Sequence, residues 1–322
     1  MRTPCSDQQP SVDSHDAHGD TLLTGGVSSD IRIVHTADGS YVVKQALEKL
    51  KVEADWRADP ARSSVEVRAL RAIARFLGAA HVPRVLWTDA ANHRFAMEII
   101  APRFRNWKEQ LLRGRIDLST ARSAGGLLGL LHARSSRSAA AARMFSATDL
   151  FTALRIRPYF ERVAQRNPAL SPAITDTVDR MLHNRAALVH GDYSPKNLLA
   201  DGADVVILDC EVAHWGDPRF DVAFCVAHLL LKSFRRGVRA AVYRDAVAAF
   251  LAAYRNAGLP VLDRDLARQT ACLLLARLEG DSPVDYIGDL DAPVVKRFAI
   301  KLLLHPPAHI ELRIGEQGDK PA

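Results

Sequence analysis

No stretch of this chain reaches the roughly 18 uninterrupted apolar residues that a membrane span requires. Residues 1–20, MRTPCSDQQPSVDSHDAHGD, are polar and lack the apolar centre of a signal peptide. A cytoplasmic protein with no membrane partner is the expectation. Cysteine is sparse, and Cys5, Cys210, Cys225 and Cys272 are scattered with no CxxC and no Cys/His pairing. That spacing argues against both a disulfide framework and a zinc site. Neither a Walker A GxxxxGK[ST] nor a GxGxxG occurs, which removes the P-loop and Rossmann nucleotide sites. Internal repeats are absent as well. The formal charge of +6 invites polyanions, yet Arg and Lys are spread along the whole chain and are not interleaved with aromatics. Nucleic acid is therefore not an expected partner, whereas the clustered phosphates of a small nucleotide suit a few of those charges.

What is present is an ordinary globular composition, 48% hydrophobic and 25% charged over 322 residues, enough for one large domain or two lobes. Residues 1–20 and 311–322 have few large apolar side chains and read as disordered tails. From Ile31 to Ile100 the signals are of strands. IRIV and SYVVKQ flank the turn TADGS, and RVLW and RFAMEII flank TDAAN, which predicts two hairpins. Between them SSVEVRALRAIARFLG carries Val67, Leu70, Ile73 and Leu77 at helical spacing. After Ala101 long helices take over: STARSAGGLLGLLHARS, TDLFTALRIRPYFERVAQ, and a nearly unbroken helical tail from Asp221 to Leu304. The pattern predicts an α+β protein of two lobes, a small β-rich one over 21–100 and a larger helical one over 101–310, with any site in the cleft between them.

Two strand-like islands interrupt the helical part, in the stretch LVHGDYSPKNLLADGADVVILDCE (188–211). Asp192, Asn197 and Asp209 stand there among runs of Leu, Val and Ile. Turn chemistry alone accounts for Asp and Asn at strand ends. The other reading is that they converge, because only a hairpin's worth of chain separates them. One Asp and one Asn offer hard oxygens to Mg²⁺, which fills its shell with water and substrate phosphates. The remaining Asp is then free to accept a proton from a hydroxyl. An Asp, four intervening residues, an Asn and a second Asp is the layout of the protein-kinase catalytic apparatus, although HRD is here HGD, DFG is DCE, and no APE triplet follows.

The pattern instead resembles the aminoglycoside phosphotransferase and choline kinase family, whose HGDxxxxN, apolar run ending in DxE, and GDPxxD appear as HGDYSPKN, ILDCE and GDPRFD. The resemblance covers roughly Leu23 to Leu231 and implies a protein-kinase-like fold, ATP (or GTP) and Mg²⁺ as cofactors, and a small-molecule hydroxyl as acceptor. It assigns Asp192 to the acceptor hydroxyl and Asn197 and Asp209 to the metal. In the first lobe, TGGVSSDIRIV supplies a phosphate loop through Gly25, Gly26, Ser28 and Ser29, and Lys44 follows on the next strand. Glu66 is the expected partner of Lys44, but Ser63 and Glu66 also spell a capping box. Glu98 and Ile99 fall where the family's interlobe hinge meets adenine. The stretch VKQALEKLKVEADWRADPARSSVEVRAL is similar to the first lobe of methylthioribose kinases, although the second-lobe motifs fit that group less well, and their substrate is not carried over.

Several residues keep two readings. His190 braces the loop, and His132 is a packing histidine at a family position. Lys196 either touches the γ-phosphate or is solvated, and Glu211 either binds a metal water or is a surface group. Asp217 and Asp221 read as structural, one of them capping the following helix and Asp221 tying it to the loop. The acceptor stays open. Glu279, Asp281, Asp285 and Asp289 either attract a polyamine such as an aminoglycoside or serve as caps and a solvated face, which leaves a sugar, amino alcohol or nucleoside-like alcohol. A nucleotide-binding pseudokinase and a protein kinase are the alternatives to a small-molecule kinase.

Overall fold

A computed structural model describes residues 21–310 apart from 24–27, 38, 52–55 and 262. The tails and the two loop glycines, Gly25 and Gly26, lie outside the described residues. The first part is a five-stranded antiparallel sheet in the order β1-β2-β3-β5-β4. Its strands are β1 (Thr21–Leu23), β2 (Ser29–Thr36), β3 (Gly39–Ala46), β4 (Val85–Asp89) and β5 (Arg94–Glu98). Helix α1 (Arg62–Leu77) packs against it through Val67, Leu70 and Ile73, which the helical period places on one face.

The second part is mostly helical. A short β6 (Arg105–Asn106) leads into α2 (Trp107–Leu112), α3 (Leu118–Ser135) and α4 (Ala139–Met144). Where TDLFTALRIRPYFERVAQ predicts a plain α-helix, α5 (Asp149–Phe151) runs into a π-helical segment, Thr152–Glu161, and returns to α geometry in α6 (Arg162–Arg166). Pro158 lies inside that segment and has no N–H for an α-type bond, which favours a locally different winding. After α7 (Ser171–His183) come β7 (Ala187–Val189), the hairpin β8 (Leu198–Asp201) and β9 (Asp204–Ile207), and β10 (His214–Gly216), which pairs back onto β7. Four helices close the chain: α8 (Arg219–Ser233), α9 (Ala240–Ala257), α10 (Arg264–Glu279) and α11 (Ala292–Leu304).

Small residues set the helix spacing. A Cβ on Gly125 of α3 would sit 2.1 Å from the Phe250 carbonyl oxygen of α9, so only glycine lets these two backbones come this close. Helix α8 is buried along nearly its whole length, which makes it the post around which the helical part is assembled. No helix among the described residues is long and apolar enough to cross a membrane.

Candidate active site

The sheet delivers Lys44 from β3. Its register partner on β2 is Ile31, and Ser29 pairs with Ala46 two residues on, so alternation puts Ser29 on the same face as Lys44. The Lys44 ammonium donates to Glu66 Oε1 at 2.9 Å and to Asp209 Oδ1 at 2.5 Å. Glu66 thus belongs to the lysine: the residue before α1 is Ala61, with no side-chain cap, and Ser63 lies inside the helix. The Ser29 hydroxyl is buried and has no hydrogen-bond partner among the described residues, an orphan polar atom on the lysine's face.

Asp209 reaches the lysine from the other part of the chain. It follows β9 with φ +61, a left-handed conformation that Asp tolerates better than most residues and that turns the chain sharply after Leu208. Glu211, two residues on, is buried and accepts from Arg62 Nε at 3.0 Å, so it is no surface group. Arg62 has no exposure at all. Its remaining donors go to the carbonyls of Ala58 (3.0 Å), Asp59 (3.1 Å), Leu47 (2.7 Å) and Ser28. One guanidinium therefore ties the end of the Ser28 loop, the end of β3 and the start of α1 to the segment after β9.

Oxygens of Glu66, Asp209 and Glu211 lie within 4.8 Å of one another. Three carboxylates face two cations, which leaves the cluster one negative charge in excess. Burial opposes the Lys44 ammonium, but Asp209 and then Glu66 outweigh it and hold its pKa above the ordinary lysine value. For Asp209 burial is outweighed by Lys44 and then Lys196, and its carboxyl is held well below the usual range. Glu66 is pushed up by burial to about 7, against the pull of Lys44. The ammonium therefore serves Asp209 first.

The 190–197 loop hangs from the buried carboxylate of Asp221. That carboxylate accepts from the His190 N–H at 2.6 Å and the Gly191 N–H at 2.9 Å, and it faces His132 Nε2 at 3.2 Å. His132 Nδ1 in turn meets the Tyr254 hydroxyl at 2.9 Å. The Asp192 N–H donates to His190 Nδ1 at 3.1 Å, which leaves Nε2 as the protonated nitrogen that donates to the Leu208 carbonyl at 3.0 Å. Gly191 has φ +79, and a Cβ there would lie 2.6 Å from the Val212 carbonyl oxygen, so the loop needs glycine to fit under the Glu211 segment. Asp217 accepts from the Arg219 N–H at the head of α8 and from Asn184 and Gln269, a structural role.

Asn197 donates its amide to Asp192 Oδ2 at 2.7 Å and to the Asp192 carbonyl at 3.0 Å. Its own Oδ1, like Asp209 Oδ2, accepts no hydrogen bond among the described residues. These two free hard oxygens suit a divalent cation. Arg155, from the π-helical segment, donates Nε to the Gly191 carbonyl at 2.7 Å and sets NH2 3.2 Å from Asp192 Oδ2. Lys196 is half-buried and forms no ion pair among the described residues. Glu98 ends β5 with its carboxylate on the Arg84 N–H (3.0 Å), and the peptide N–H and C=O of the following Ile99 make no backbone hydrogen bond among the described residues. A cavity of about 440 Å³ lies beside Arg62 and the Val212–His214 segment, and its lining includes none of Asp192, Asn197 and Asp209.

Arg62 and Arg155 escape a reading of the sequence because an arginine on a predicted helix is ordinarily solvated. Only the topology shows that backbone carbonyls of other segments converge on Arg62, and that the Gly191 carbonyl and the Asp192 carboxylate meet Arg155.

Residues 21–268 match the sequence model of the phosphotransferase enzyme family. The chain belongs to that family. It is similar to the methylthioribose kinase of Escherichia coli O45:K1 (strain S88 / ExPEC), 25% identical over a 240-residue alignment that covers 64% of this chain and 57% of that kinase. The chain thus spans little more than half the length of this relative. Among solved structures it is similar to an amicoumacin kinase in complex with AMP-PNP, Ca²⁺ and Ami, with a TM-score of 0.54 and 12% identity over 90% of this chain and 89% of that one. It is also similar to the choline kinase of Cryptosporidium parvum Iowa II, with a TM-score of 0.52 and 13% identity over 95% and 91%. At such identities the likeness shows the kinase-like fold, and the family supports a small-molecule kinase.

Proposed function

We propose that this phosphotransferase moves the γ-phosphoryl group of ATP, or of GTP, to a hydroxyl of a small molecule. The observation that carries the reading is the Lys44 ammonium, gripped by Glu66 of α1 and by Asp209 from beyond β9, with the Asp192–Asn197 pair on the adjoining loop. Nucleotide binding is further supported by the amicoumacin kinase, whose structure holds AMP-PNP. In this reading residues 21–100 form the nucleotide-binding lobe and residues 101–310 the catalytic and substrate lobe. Lys44 and the loop from Gly25 to Ser29 hold the phosphates, and the free peptide group of Ile99, after Glu98, meets the base.

Asn197 and Asp209 would hold Mg²⁺ through their free oxygens, and the ion would offset charge on the transferring phosphates. Asp192 orients the acceptor hydroxyl and accepts its proton as the new P–O bond forms and the bond to the leaving nucleotide diphosphate breaks. Arg155 and Asn197 fix that carboxylate from two sides. Because phosphoryl transfer depends on alignment and charge stabilisation, a rigidly held carboxylate matters as much as a basic one. The described cysteines, Cys210, Cys225 and Cys272, are free and buried, in keeping with work in the cytoplasm, where ATP is at hand.

Incubation of the protein with γ-labelled ATP, Mg²⁺ and a metabolite extract, followed by mass detection, is expected to yield a new phosphate ester. Tight binding of Mg²⁺-nucleotide with no ester from any hydroxyl compound would overturn the transfer and leave a nucleotide-binding module. Label on protein alone would make it a protein kinase.

A further inference from the structure

The carboxylates that stand ready in the sequence for a cationic acceptor are already engaged. Glu279 takes Lys296 at 2.5 Å and the Asn167 amide at 2.8 Å. Asp281 takes Arg162 at 2.7 Å, Asp285 takes Lys108 at 2.7 Å, and Asp289 takes Arg235 at 3.1 Å. A polyamine would have to displace an internal cation from each, for little net gain.

Around Arg155 the charge balance is reversed. Its guanidinium, already on Asp192, lies over the rings of Tyr159 and Phe224, 5.6 and 5.8 Å from their centroids. On the same Tyr159 ring lies Arg277 of α10, 5.6 Å from the centroid, with NH1 donating to the Tyr159 hydroxyl at 3.0 Å. Phe224 packs on His228, 5.1 Å between centroids. One turn further along α8 the fully buried Lys232 donates to the His228 carbonyl at 3.0 Å, reaches the Tyr286 hydroxyl at 3.4 Å and lies 5.3 Å from that ring's centroid. Contacts thus run unbroken from Asp192 through aromatic rings to Arg277, His228 and Lys232.

None of those three has a carboxylate in ion-pair reach among the described residues. Arg277 uses only NH1, for Tyr159 and for the carbonyl and hydroxyl of Ser282 (2.6 and 3.0 Å). Its Nε is buried without a partner, and its NH2 makes no hydrogen bond among the described residues. That unused Nε–NH2 edge is the fork with which arginine grips an oxyanion in bidentate fashion. The His228 imidazole is more than nine-tenths buried and, among the described residues, has only its ring contact with Phe224. Burial first, then Lys108 and Arg277, bring the Lys232 pKa down to about 7, while His228 is lowered by burial and then by Arg277, Lys232, Lys108 and Lys196. The region gathers basic groups that are short of counter-charge.

We propose that the acceptor alcohol carries an oxyanion, a carboxylate or a phosphate, which Arg277 grips through its free edge, with His228 and Lys232 behind it, while the hydroxyl faces Asp192. This substrate class rests on the phosphotransferase reading above. Tyr159 and Tyr286 supply the apolar walls, and Lys196 closes the positive rim near the loop.

A metabolite extract is split on anion- and cation-exchange resins into anionic, cationic and unretained fractions, and each is incubated with the full chain, Mg²⁺ and γ-labelled ATP. The new ester is expected from the anionic fraction. Phosphatase treatment of that fraction beforehand distinguishes the two oxyanions: loss of the ester marks a phosphate-bearing acceptor, persistence a carboxylate. With the acceptor in hand, Arg277→Gln is expected to raise its KM about 10-fold or more, the worth of charge-assisted hydrogen bonds, and Arg277→Lys less. Lys232→Met, which keeps the volume, is expected to raise the same KM, with thermal melts confirming that each variant folds. An ester from the cationic or unretained fraction overturns the inference and leaves the phosphotransferase standing. So does an anionic acceptor whose KM ignores both substitutions. No ester from any fraction overturns the phosphotransferase reading itself.

Discussion

Two lysines are buried among the described residues, and their surroundings are opposites. Lys44 sits among Glu66, Asp209 and Glu211, and its pKa is held above the ordinary value by carboxylates. Lys232 sits among Lys108, Arg277, His228 and aromatic rings, and burial brings it down to about 7. The first charge is internally neutralised with negative charge to spare, so the site attracts a cation together with its phosphates. Among the described residues the second has no ion-pair partner, so the site attracts an anion. A buried charge is costly in either place, and what compensates it shows what the place is for.

Asp192 lies between the two regions, and its loss is expected to have the largest effect. Asp192→Ala should lower turnover by ~10²–10⁴, the usual worth of a positioned base, while Mg²⁺-nucleotide still binds in calorimetry. Full turnover on the true acceptor would remove Asp192 from the chemistry and dissolve the link between the regions. Lys44→Met comes next. It strands Glu66 and Asp209, and breaking a buried pair of this kind costs about 3–5 kcal/mol, to be read from denaturant unfolding at pH 7. Added Mg²⁺ should restore part of the loss; no recovery would show that the cluster does not collect a cation. Arg155→Met is smaller. It removes two charge-assisted contacts to Gly191 and Asp192, each worth about 1.5–3 kcal/mol, so kcat is expected to fall 10- to 100-fold at an unchanged KM for nucleotide. An equal rise in both KM values with kcat intact would make Arg155 a structural residue only.

The same contrast decides what a single chain discloses. The lysine region is carried by short motifs, because the spacing from Asp192 to Asn197 to Asp209 is set by one hairpin and hence by local sequence. The antiparallel sheet, the α1 helix and the helical tail were legible for the same reason, as alternation and helical period are local signals. Arg62 was invisible because its five acceptors come from four separate segments that only the folded chain gathers. Arg155 was hidden within a segment whose π winding has no period that distinguishes it from an α-helix. Arg277, His228 and Lys232 come from two helices with no motif between them, and LLHARS and HLLLKS look alike until one histidine is found on Asp221 and the other, among the described residues, only against the Phe224 ring. The four acids of the 279–289 stretch were conspicuous in the sequence, yet each is neutralised in the fold.

Lys232→Met has the smallest expected effect and draws the comparison most finely, because its sign is opposite to that of Lys44→Met. In the unfolded chain this lysine titrates at its ordinary value of 10.5, and in the folded protein at about 7. Between those values the unfolded chain holds a proton that the folded one lacks, so wild-type stability falls as pH drops from 10.5 towards 7 and levels off below, with a steepest slope of about 1.4 kcal/mol per pH unit. The groups that face the ammonium are Lys108 from α2, Cys225 and His228 from α8, Arg277 from α10, and Asp285 and Tyr286 from the connection to α11; Cys225 and then Asp285 oppose the trend, and Asp285 is already paired with Lys108. Methionine fills the same space with no charge, so the variant should be more stable than wild type at pH 7, on the order of 1–4 kcal/mol, and the two should converge towards pH 10. Denaturant unfolding at pH 7 and pH 9.5 measures both points. A variant that is less stable at pH 7, or that keeps the wild-type slope, would mean that Lys232 is compensated inside the fold as Lys44 is. A variant that gains stability and loses acceptor affinity identifies the lysine as a residue kept at the fold's expense for its ligand.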